Sequence, residues 1–512
     1  MQNANRKLAI IDIGSNTIRL VIYWKNKFGK YKEEENIKSV ARLRHYLVDN
    51  GNLHDQGISI LVNCLKGFKE IIEFHKVEVV KCVATATIRQ ALNKEDVLDI
   101  VKEQTGFKID ILSEKEEAYY GYFAVIQTTP ITEGVTIDMG GGSTEITYFQ
   151  NRELKYSHSF PFGVVSLKEQ FIKGDTISFE EKESLIKYIQ ESLQQLPWLK
   201  NLQVPIIAIG GSARTVAQID QNLKKYPLAG IHQYTMSTRD LKEILDMVER
   251  LNPLQIEKLE GVSKDRADII LPALEVFFTI SEYVRTEKFM FSKKGLREGI
   301  YLKEYEKNRE ITEIEVIVSS NIQELVHDYG ISAQHSNHVA QLAKQIYTQL
   351  EIVRGLQLSS EIKKMIDLSS RLYYVGQIVD SDVSSQHTFY YLANTSIDGL
   401  EHKDRLKLAL IASFKNKALL KQYSAPFENW FTRAELQEIR IAGAITKIAS
   451  ALDASKRGVI KDVSIQNEFQ NNKLIFTIDG SGNLFAEKYQ AEKQLRHLEK
   501  AIKKNIQLVF IH

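Results

Sequence analysis

One strand–turn–strand unit is written twice in this chain, and that repetition limits the folds open to it more than any other feature. Ile10-Ile11-Asp12-Ile13-Gly14-Ser15-Asn16-Thr17-Ile18-Arg19-Leu20 and Thr136-Ile137-Asp138-Met139-Gly140-Gly141-Gly142-Ser143-Thr144-Glu145-Ile146 share one design. Each has an apolar strand, an Asp at its end, a Gly two residues later, small hydroxyl residues in a tight turn, and a return strand. Self-similarity of this kind implies two related halves. The patterning around each copy agrees. Residues 8–13 and 19–24 read as strands, 55–74 as an amphipathic helix, 78–84 as a strand, 94–104 as a helix, 107–112 as a strand and 114–126 as a helix. The pattern restarts at Gly134, with strands at 135–140 and 145–150. Alternation of this kind predicts an α/β fold, duplicated into two halves.

From about Glu310 the character becomes helical. Val339, Leu342, Ala343, Ile346 and Leu350 make one helix face, and similar spacing recurs over 406–420 and 436–452. The tail reads as strands 463–469 and 473–479 around an Asn471-Asn472 turn, a basic helix over 487–504 and a strand over 506–511. A chain of 512 residues exceeds what one core supports, and the expected boundaries are 1–127, 128–306, 307–460 and 461–512. Lys and Arg number 67 against 65 Asp and Glu, so bulk charge does not suit nucleic-acid binding, and any anion site is local. Cys64 and Cys82 fit neither a disulfide framework nor zinc spacing. No apolar run is long enough for a membrane span, and the expected location is the reducing cytoplasm.

The paired turns have a definite chemical use. Glycine lets backbone N–H groups approach an anion closely, hydroxyls add donors, and a carboxylate at the strand end can hold Mg²⁺. Two facing turns would clamp a phosphate chain. A third turn, Gly210-Gly211-Ser212-Ala213-Arg214-Thr215, follows the apolar 205–208 segment and reads equally as a phosphate loop or a plain strand-to-helix turn. There is no P-loop signature. Between the halves, Ser113 and Glu116 have capping-box spacing. Glu117 is not needed for that box, and beside a phosphate clamp it could orient and deprotonate water. Arg89 follows a run of small residues, where its fork could neutralise phosphate or simply meet solvent.

Asp12-Ile-Gly-Ser-Asn-Thr17, Ala-Thr-x-x-Arg89, Ser113-x-x-Glu-Glu117-Ala, Asp138-x-Gly-Gly-Gly-Ser-Thr-Glu145, Gly210-Gly-Ser-Ala-x-Thr215 and Gly295-Leu-Arg-Glu-Gly299 follow one another as in the exopolyphosphatase and guanosine pentaphosphate phosphatase family, which this chain resembles as a long member. The resemblance covers residues 8–305 with specific motifs and looser similarity to about 510. It implies the duplicated fold of the actin, heat-shock chaperone and sugar kinase superfamily, with a cleft between the halves. It further implies Glu117 as catalytic base and Arg89 as a catalytic contact to phosphate. Phosphate contacts would come from Ser15, Asn16, Thr17, Gly140, Gly141, Gly142 and Ser143, with Gly210, Gly211 and Ser212 in support. Mg²⁺-linked carboxylates would be Asp12, Asp138 and Glu145. Arg19 occupies the place that Glu145 takes in the second hairpin, so it is a candidate phosphate contact only. Arg297 reads equally as a helix-start residue or a functional one.

The helical third resembles an HD-type domain. His335 stands where its first histidine would be, but the expected Leu-His-Asp-Ile-Gly reads Leu372-Tyr373-Tyr374-Val375-Gly376, and further histidines are replaced by Phe414-Lys415-Asn416-Lys417. A second metal-dependent hydrolase is therefore not expected. Lys415, Lys417, Lys421, Lys493, Arg496, Lys500, Lys503 and Lys504 could form a basic track for a polyanion, although Glu487, Glu492 and Glu499 are interleaved. The leading expectation is an exopolyphosphatase acting on inorganic polyphosphate, with guanosine pentaphosphate as the alternative substrate. A non-catalytic polyphosphate or nucleotide sensor and a sugar kinase are further alternatives. Homodimerisation is implied by the resemblance alone.

Overall fold

The structure is a computed structural model that describes residues 7–48, 50–174, 176–306, 313–468 and 473–511. The chain divides into two compact units, one built from residues up to 312 apart from 227–230, the other from those four residues and 313 onward. The Asn471-Asn472 turn lies outside the described residues.

The first unit carries two sheets. Strands β1 (Lys7–Ile13), β2 (Thr17–Lys25), β3 (Tyr31–Val40), β4 (Val79–Ala84) and β5 (Ile109–Ile111) form one in the order 3-2-1-4-5. Strands β6 (Gly134–Met139), β7 (Thr144–Gln150), β8 (Glu153–Phe160), β9 (Ile206–Ile209), β10 (Tyr234–Ser237) and β11 (Lys288–Ser292) form the other in the order 10-11-9-6-7-8. Apart from the added edge strand β10, the second sheet repeats the first. Each has an antiparallel three-strand meander followed by two parallel strands. The duplication extends to atoms. Asp12 pairs with Arg19 as Asp138 pairs with Glu145, and the Gly14 N–H donates to the Thr17 carbonyl as Gly140 donates to Ser143, both at 3.0 Å.

Strand alternation sorts each sheet's side chains between two cores. Ile11, Ile13 and Leu20 pack outward with Leu61 and Leu65 of the helix Asp55–Phe74, and Ile137 and Ile146 pack outward with Phe277 of the helix Ile270–Val284. The opposite faces, with Ile10 and Val83 from one sheet and Ile207 and Met290 from the other, meet in a shared core with Phe123 and Ile126. Those two residues belong to the helix Glu114–Thr128, which is therefore wedged between the sheets.

Strands β3, β8, β10 and β11 are absent from the sequence reading. Strands β3 and β8 run along sheet edges, where all their residues but Phe160 are exposed or half-buried and β3 carries the charged stretch Tyr31-Lys-Glu-Glu-Glu, and solvated edge positions carry no apolar alternation.

The second unit is helical, with Ala333–Arg354, Ser360–Arg371, His402–Ala412 and Arg433–Ala451 supplying its core. A small sheet of β12 (Ile460–Glu468), β13 (Lys473–Gly480) and β14 (Asn505–Ile511) closes it, together with the helix Phe485–Ile502.

Candidate active site

The two repeated turns meet face to face. A Cβ placed on Gly141 would lie 3.1 Å from Ser15 Cβ and 3.4 Å from the Asn16 nitrogen, and one on Gly142 would lie 2.9 Å from Ser15 Oγ. Only glycine lets the loops come this close. Thr87 fixes Ser15 from below by donating to its Oγ at 2.8 Å. Behind the second turn, the N–H groups of Val164 and Val165 donate at 3.0 Å to the carbonyls of Gly140 and Gly141. Those carbonyls are thus turned away from the first turn, and the helix start at Gly163 is pressed against the loop backbone with no room for a side chain.

Glu117 stands in the first turn of the wedged helix. Ser113 and Glu116 complete the expected capping box, which leaves Glu117 free for other work, and it is 8% exposed. Arg89 donates from Nη1 at 2.9 Å both to Glu117 Oε2 and to the Leu112 carbonyl. Burial pushes the Glu117 carboxyl up to about 7; Arg89 opposes that shift, and Asp138 and Asp12 add to it. A carboxyl with this value is half ionised near neutrality, which suits a general base.

Among the described residues, three buried donors around these groups have no acceptor: Asn16 Nδ2, Arg89 Nη2 and Arg297 Nη1. Orphaned buried donors of this kind are costly, and they leave hydrogen-bonding capacity open to an acceptor from outside the chain. Arg297 Nε lies 3.8 Å from Asp12 Oδ2.

The acidic groups form a mutually repelling set. Asp138 is raised to about 7, by burial first and by Asp12 second. Asp12 is raised by burial against the lowering pull of Arg297 and Arg19. Glu145 is raised well above its ordinary value by burial, then by Glu117 and Asp138, while Ser159 Oγ donates to it at 2.9 Å. Among the described residues, no group of three or more His, Cys, Asp or Glu side chains is arranged to hold an ion. A protein-only cage is therefore not what these residues offer. Mg²⁺ is commonly held by one or two carboxylates plus substrate oxygens, and the all-oxygen, mutually repelling Asp12 and Asp138 fit that mode. Space exists at Asp138, because Gly121, Gly210 and Gly295 surround it and a Cβ on Gly210 would stand 3.1 Å from Oδ1.

The third turn opens the helix Gly210–Leu223 directly after β9. The Arg266 guanidinium covers Gly211, and its Nη1 lies 3.3 Å from Ser212 Oγ. Gly210 takes φ +93 beside Asp138, so the turn shapes the pocket of that carboxylate. Arg19 donates to Asn36 at 2.6 Å, and it is lowered to about 10 by burial and then by Arg297, with Arg214 and Arg266 contributing. Four arginines thus share one neighbourhood. Sequence reasoning missed Arg266 and Arg214 as site residues. Arg214 lies within the Gly210 motif and was legible there, whereas Arg266 lies in the loop before a distant helix and carries no local signal.

In the second unit, His335 Nδ1 lies 2.6 Å from Asp453 Oδ2 and His338 Nδ1 lies 3.2 Å from Oδ1. Of the expected basic residues, Lys415 and Arg496 act on the buried Lys447, and Arg496 and Lys500 act on His497. Glu487 is turned inward to Ser455 and Arg457, and Glu499 accepts from the Ile506 N–H. Two of the three interleaved glutamates are thus engaged elsewhere.

Comparison with known proteins matches residues 33–308 to the Ppx/GppA phosphatase family and residues 317–502 to Ppx/GppA phosphatase, domain III. A Vibrio vulnificus protein named guanosine-5'-triphosphate,3'-diphosphate pyrophosphatase is 24% identical over 408 residues, 79% of either chain. A Haemophilus influenzae protein provisionally named an exopolyphosphatase is 26% identical over 318 residues, 60% of this chain and 94% of its own. The crystal structure of the Aquifex aeolicus family member superposes with a TM-score of 0.52 at 29% identity, covering 60% of this chain and all of that one.

Proposed function

The chain belongs to the Ppx/GppA phosphatase family, and from that premise we propose that it is an exopolyphosphatase, releasing orthophosphate from the end of linear inorganic polyphosphate. The observation that carries this reading is the buried Glu117–Arg89 pair, with Arg89 Nη2 and the neighbouring Asn16 Nδ2 and Arg297 Nη1 all lacking an acceptor among the described residues. Asn16, Arg89 and Arg297 bind the terminal phosphoryl oxygens. Ser15, Thr17, Ser143 and the backbone of Gly140, Gly141 and Gly142 hold the anhydride in line. Ionised Glu117 accepts a proton from a water molecule as its oxygen attacks phosphorus, the P–O bond to the chain breaks, and the shortened polymer leaves as an anion. Arg89 keeps Glu117 pointed at that water. Arg19, Arg266 and Arg214 balance charge on the next phosphates. Mg²⁺, held by Asp12 and Asp138 with Glu145 behind them, would supply charge neutralisation on phosphoryl oxygens.

A second reading, removal of the 5′ terminal phosphate of guanosine pentaphosphate, is favoured by the name of the Vibrio vulnificus relative, whose similarity runs on into the helical unit. Grouping of Lys415, Arg496 and Lys500 tilts the choice to a long polyanion. We read the helical unit as HD-like without the HD metal motif, the protein as a cytoplasmic homodimer, and light scattering as the check on the last point. The deciding experiment is Mg²⁺-dependent phosphate release from long polyphosphate and from guanosine pentaphosphate in parallel. Faster release from polyphosphate is expected. Preference for the guanosine compound would overturn the first reading, and release from neither would leave only a sensor.

A further inference from the structure

An open cavity of about 580 Å³ lies in the helical unit, and its walls include Tyr373, Tyr374, His335, Lys447, Gln490 and Gln494. Its volume is that of a small-molecule site, and no residue of the phosphate cleft lines it. Lys447 is the first anomaly. It sits inside the helix Arg433–Ala451, 7% exposed, and Nζ donates to the Lys415 carbonyl at 2.7 Å. Among the described residues no carboxylate lies within ion-pair distance of it. The charges that act on it are Lys415 and Arg496, both of its own sign, and with burial they lower its ammonium to about 8. The wall does contain a carboxylate, Asp453, but that group is consumed by His335, His338 and the Gly458 N–H. A buried cation facing like charges is expensive unless an anion completes it.

Tyr374 is the second anomaly. Its backbone takes φ +56 and ψ 31, the left-handed region that an aromatic residue rarely adopts. Strain of this kind persists where surrounding structure enforces it and clusters at ligand sites. Here it lays the Tyr374 ring on Tyr373 at 4.2 Å and 9°, while Tyr373 is anchored by its hydroxyl to the Phe414 carbonyl at 3.1 Å. The tyrosine pair gives an aromatic face on one wall. Gln490 and Gln494, one turn apart on the helix Phe485–Ile502 and both half-buried, give amide donors and acceptors on another.

We propose that this cavity binds a nucleoside phosphate, its base against Tyr373 and Tyr374 and hydrogen-bonded by Gln490 and Gln494, its phosphate taken by Lys447. The site is one of binding, without chemistry, and does not depend on what the phosphate cleft hydrolyses. The test is anisotropy titration of the full chain with methylanthraniloyl-GDP, displaced by unlabelled GDP or by inorganic tripolyphosphate. Lys447→Met should weaken binding at least tenfold while polyphosphate hydrolysis stays within twofold. Tyr374→Gly, which relieves the backbone and so should keep or raise Tm, should weaken it at least fivefold. Arg89→Gln, in the cleft, should change it less than twofold. Binding unaffected by Lys447→Met and Tyr374→Gly, or abolished by Arg89→Gln, would overturn the proposal. So would tripolyphosphate displacing the probe as well as GDP does, since the cavity would then read phosphate alone.

Discussion

Replacing Glu117 with Gln should move activity and stability in opposite directions, and the structure sets both magnitudes. The amide oxygen can still accept from Arg89 Nη1, so the 2.9 Å contact survives. What is lost is a base, and general-base catalysis contributes about 10²- to 10⁴-fold. The expected result is a fall of that size in kcat with KM nearly unchanged. The native carboxyl, raised by burial to about 7, should also place an acid limb on the wild-type pH profile. Activity should drop about tenfold per unit below that value, leaving about 1% of the base ionised at pH 5. The variant's residual activity should lack this limb. Stability carries the opposite sign. A carboxyl whose folded value lies above its unfolded one favours the fold when protonated, and it withdraws that support as pH rises from its unfolded value near 4.5 through 7. At pH 8 the ionised native group therefore weighs against folding by at most about 3 kcal/mol, and Gln removes that burden. Thermal melts at pH 8 and pH 4.5 should show the variant more stable at the first and nearly equal to the wild type at the second. A kcat loss below tenfold would refute the base assignment, and a variant no more stable at pH 8 would refute the burial argument.

Arg297→Lys should raise KM for polyphosphate about 10- to 100-fold, because it removes a charge-assisted donor aimed at an anion; initial-rate kinetics check this. Gly163→Ala places a methyl on the Gly140–Gly142 backbone and should cost about 1–3 kcal/mol of stability, with a larger loss of turnover than of Tm-derived stability. Asp453→Asn should cost the helical unit about 3–5 kcal/mol at pH 7. Burial raises this carboxyl, but His335 and His338 outweigh burial and hold it well below its ordinary value. Its support is thus present at neutral pH and lost as pH falls below about 4, so urea melts of variant and wild type should converge in acid. Raising salt from 0.1 to 1 M, which shortens screening from about 10 Å to about 3 Å, should weaken affinity for long chains more than for short ones, and Lys500→Glu should reduce that difference.

Much of the catalytic unit was legible because its signals are local. The Asp-x-Gly hairpins announce a strand end, a tight turn and a return strand within a dozen residues, and the structure reproduces the equivalence down to one shared turn bond. The helix Asp55–Phe74 follows from its apolar spacing. What escaped is what distance creates. Arg266 reaches Gly211 and Ser212 across more than fifty positions, and no property of its own segment points there. The Tyr373-Tyr374 pair is visible in sequence only as a missing His-Asp, whereas its left-handed backbone and its place beside Lys447 belong to tertiary structure.

The duplication is most informative where it fails. Equivalent turn positions carry Ser15 and Asn16 in one half and Gly141 and Gly142 in the other, while Arg19 stands opposite Glu145 across the repeat. The packing explains why both turns cannot be alike. Side chains on both would collide, since Gly142 admits no Cβ without pressing on Ser15 Oγ, and glycine in both would remove the Ser15 and Asn16 side chains and leave only the hydroxyls of Thr17 and Ser143. At these two positions one turn therefore supplies side-chain donors and the other bare backbone. The charges divide in the same way. Arg19 joins Arg297, Arg214 and Arg266 on a cationic side, and Glu145 joins Asp138 and Glu117 on an acidic side. A phosphoanhydride substrate needs both at once, cations for the chain's oxygens and a basic carboxylate for water. Two symmetric halves would give either two cationic sides or two acidic ones, and on the proposed function it is the asymmetry between the copies that would let one cleft bind a polyanion while keeping an ionisable base beside it.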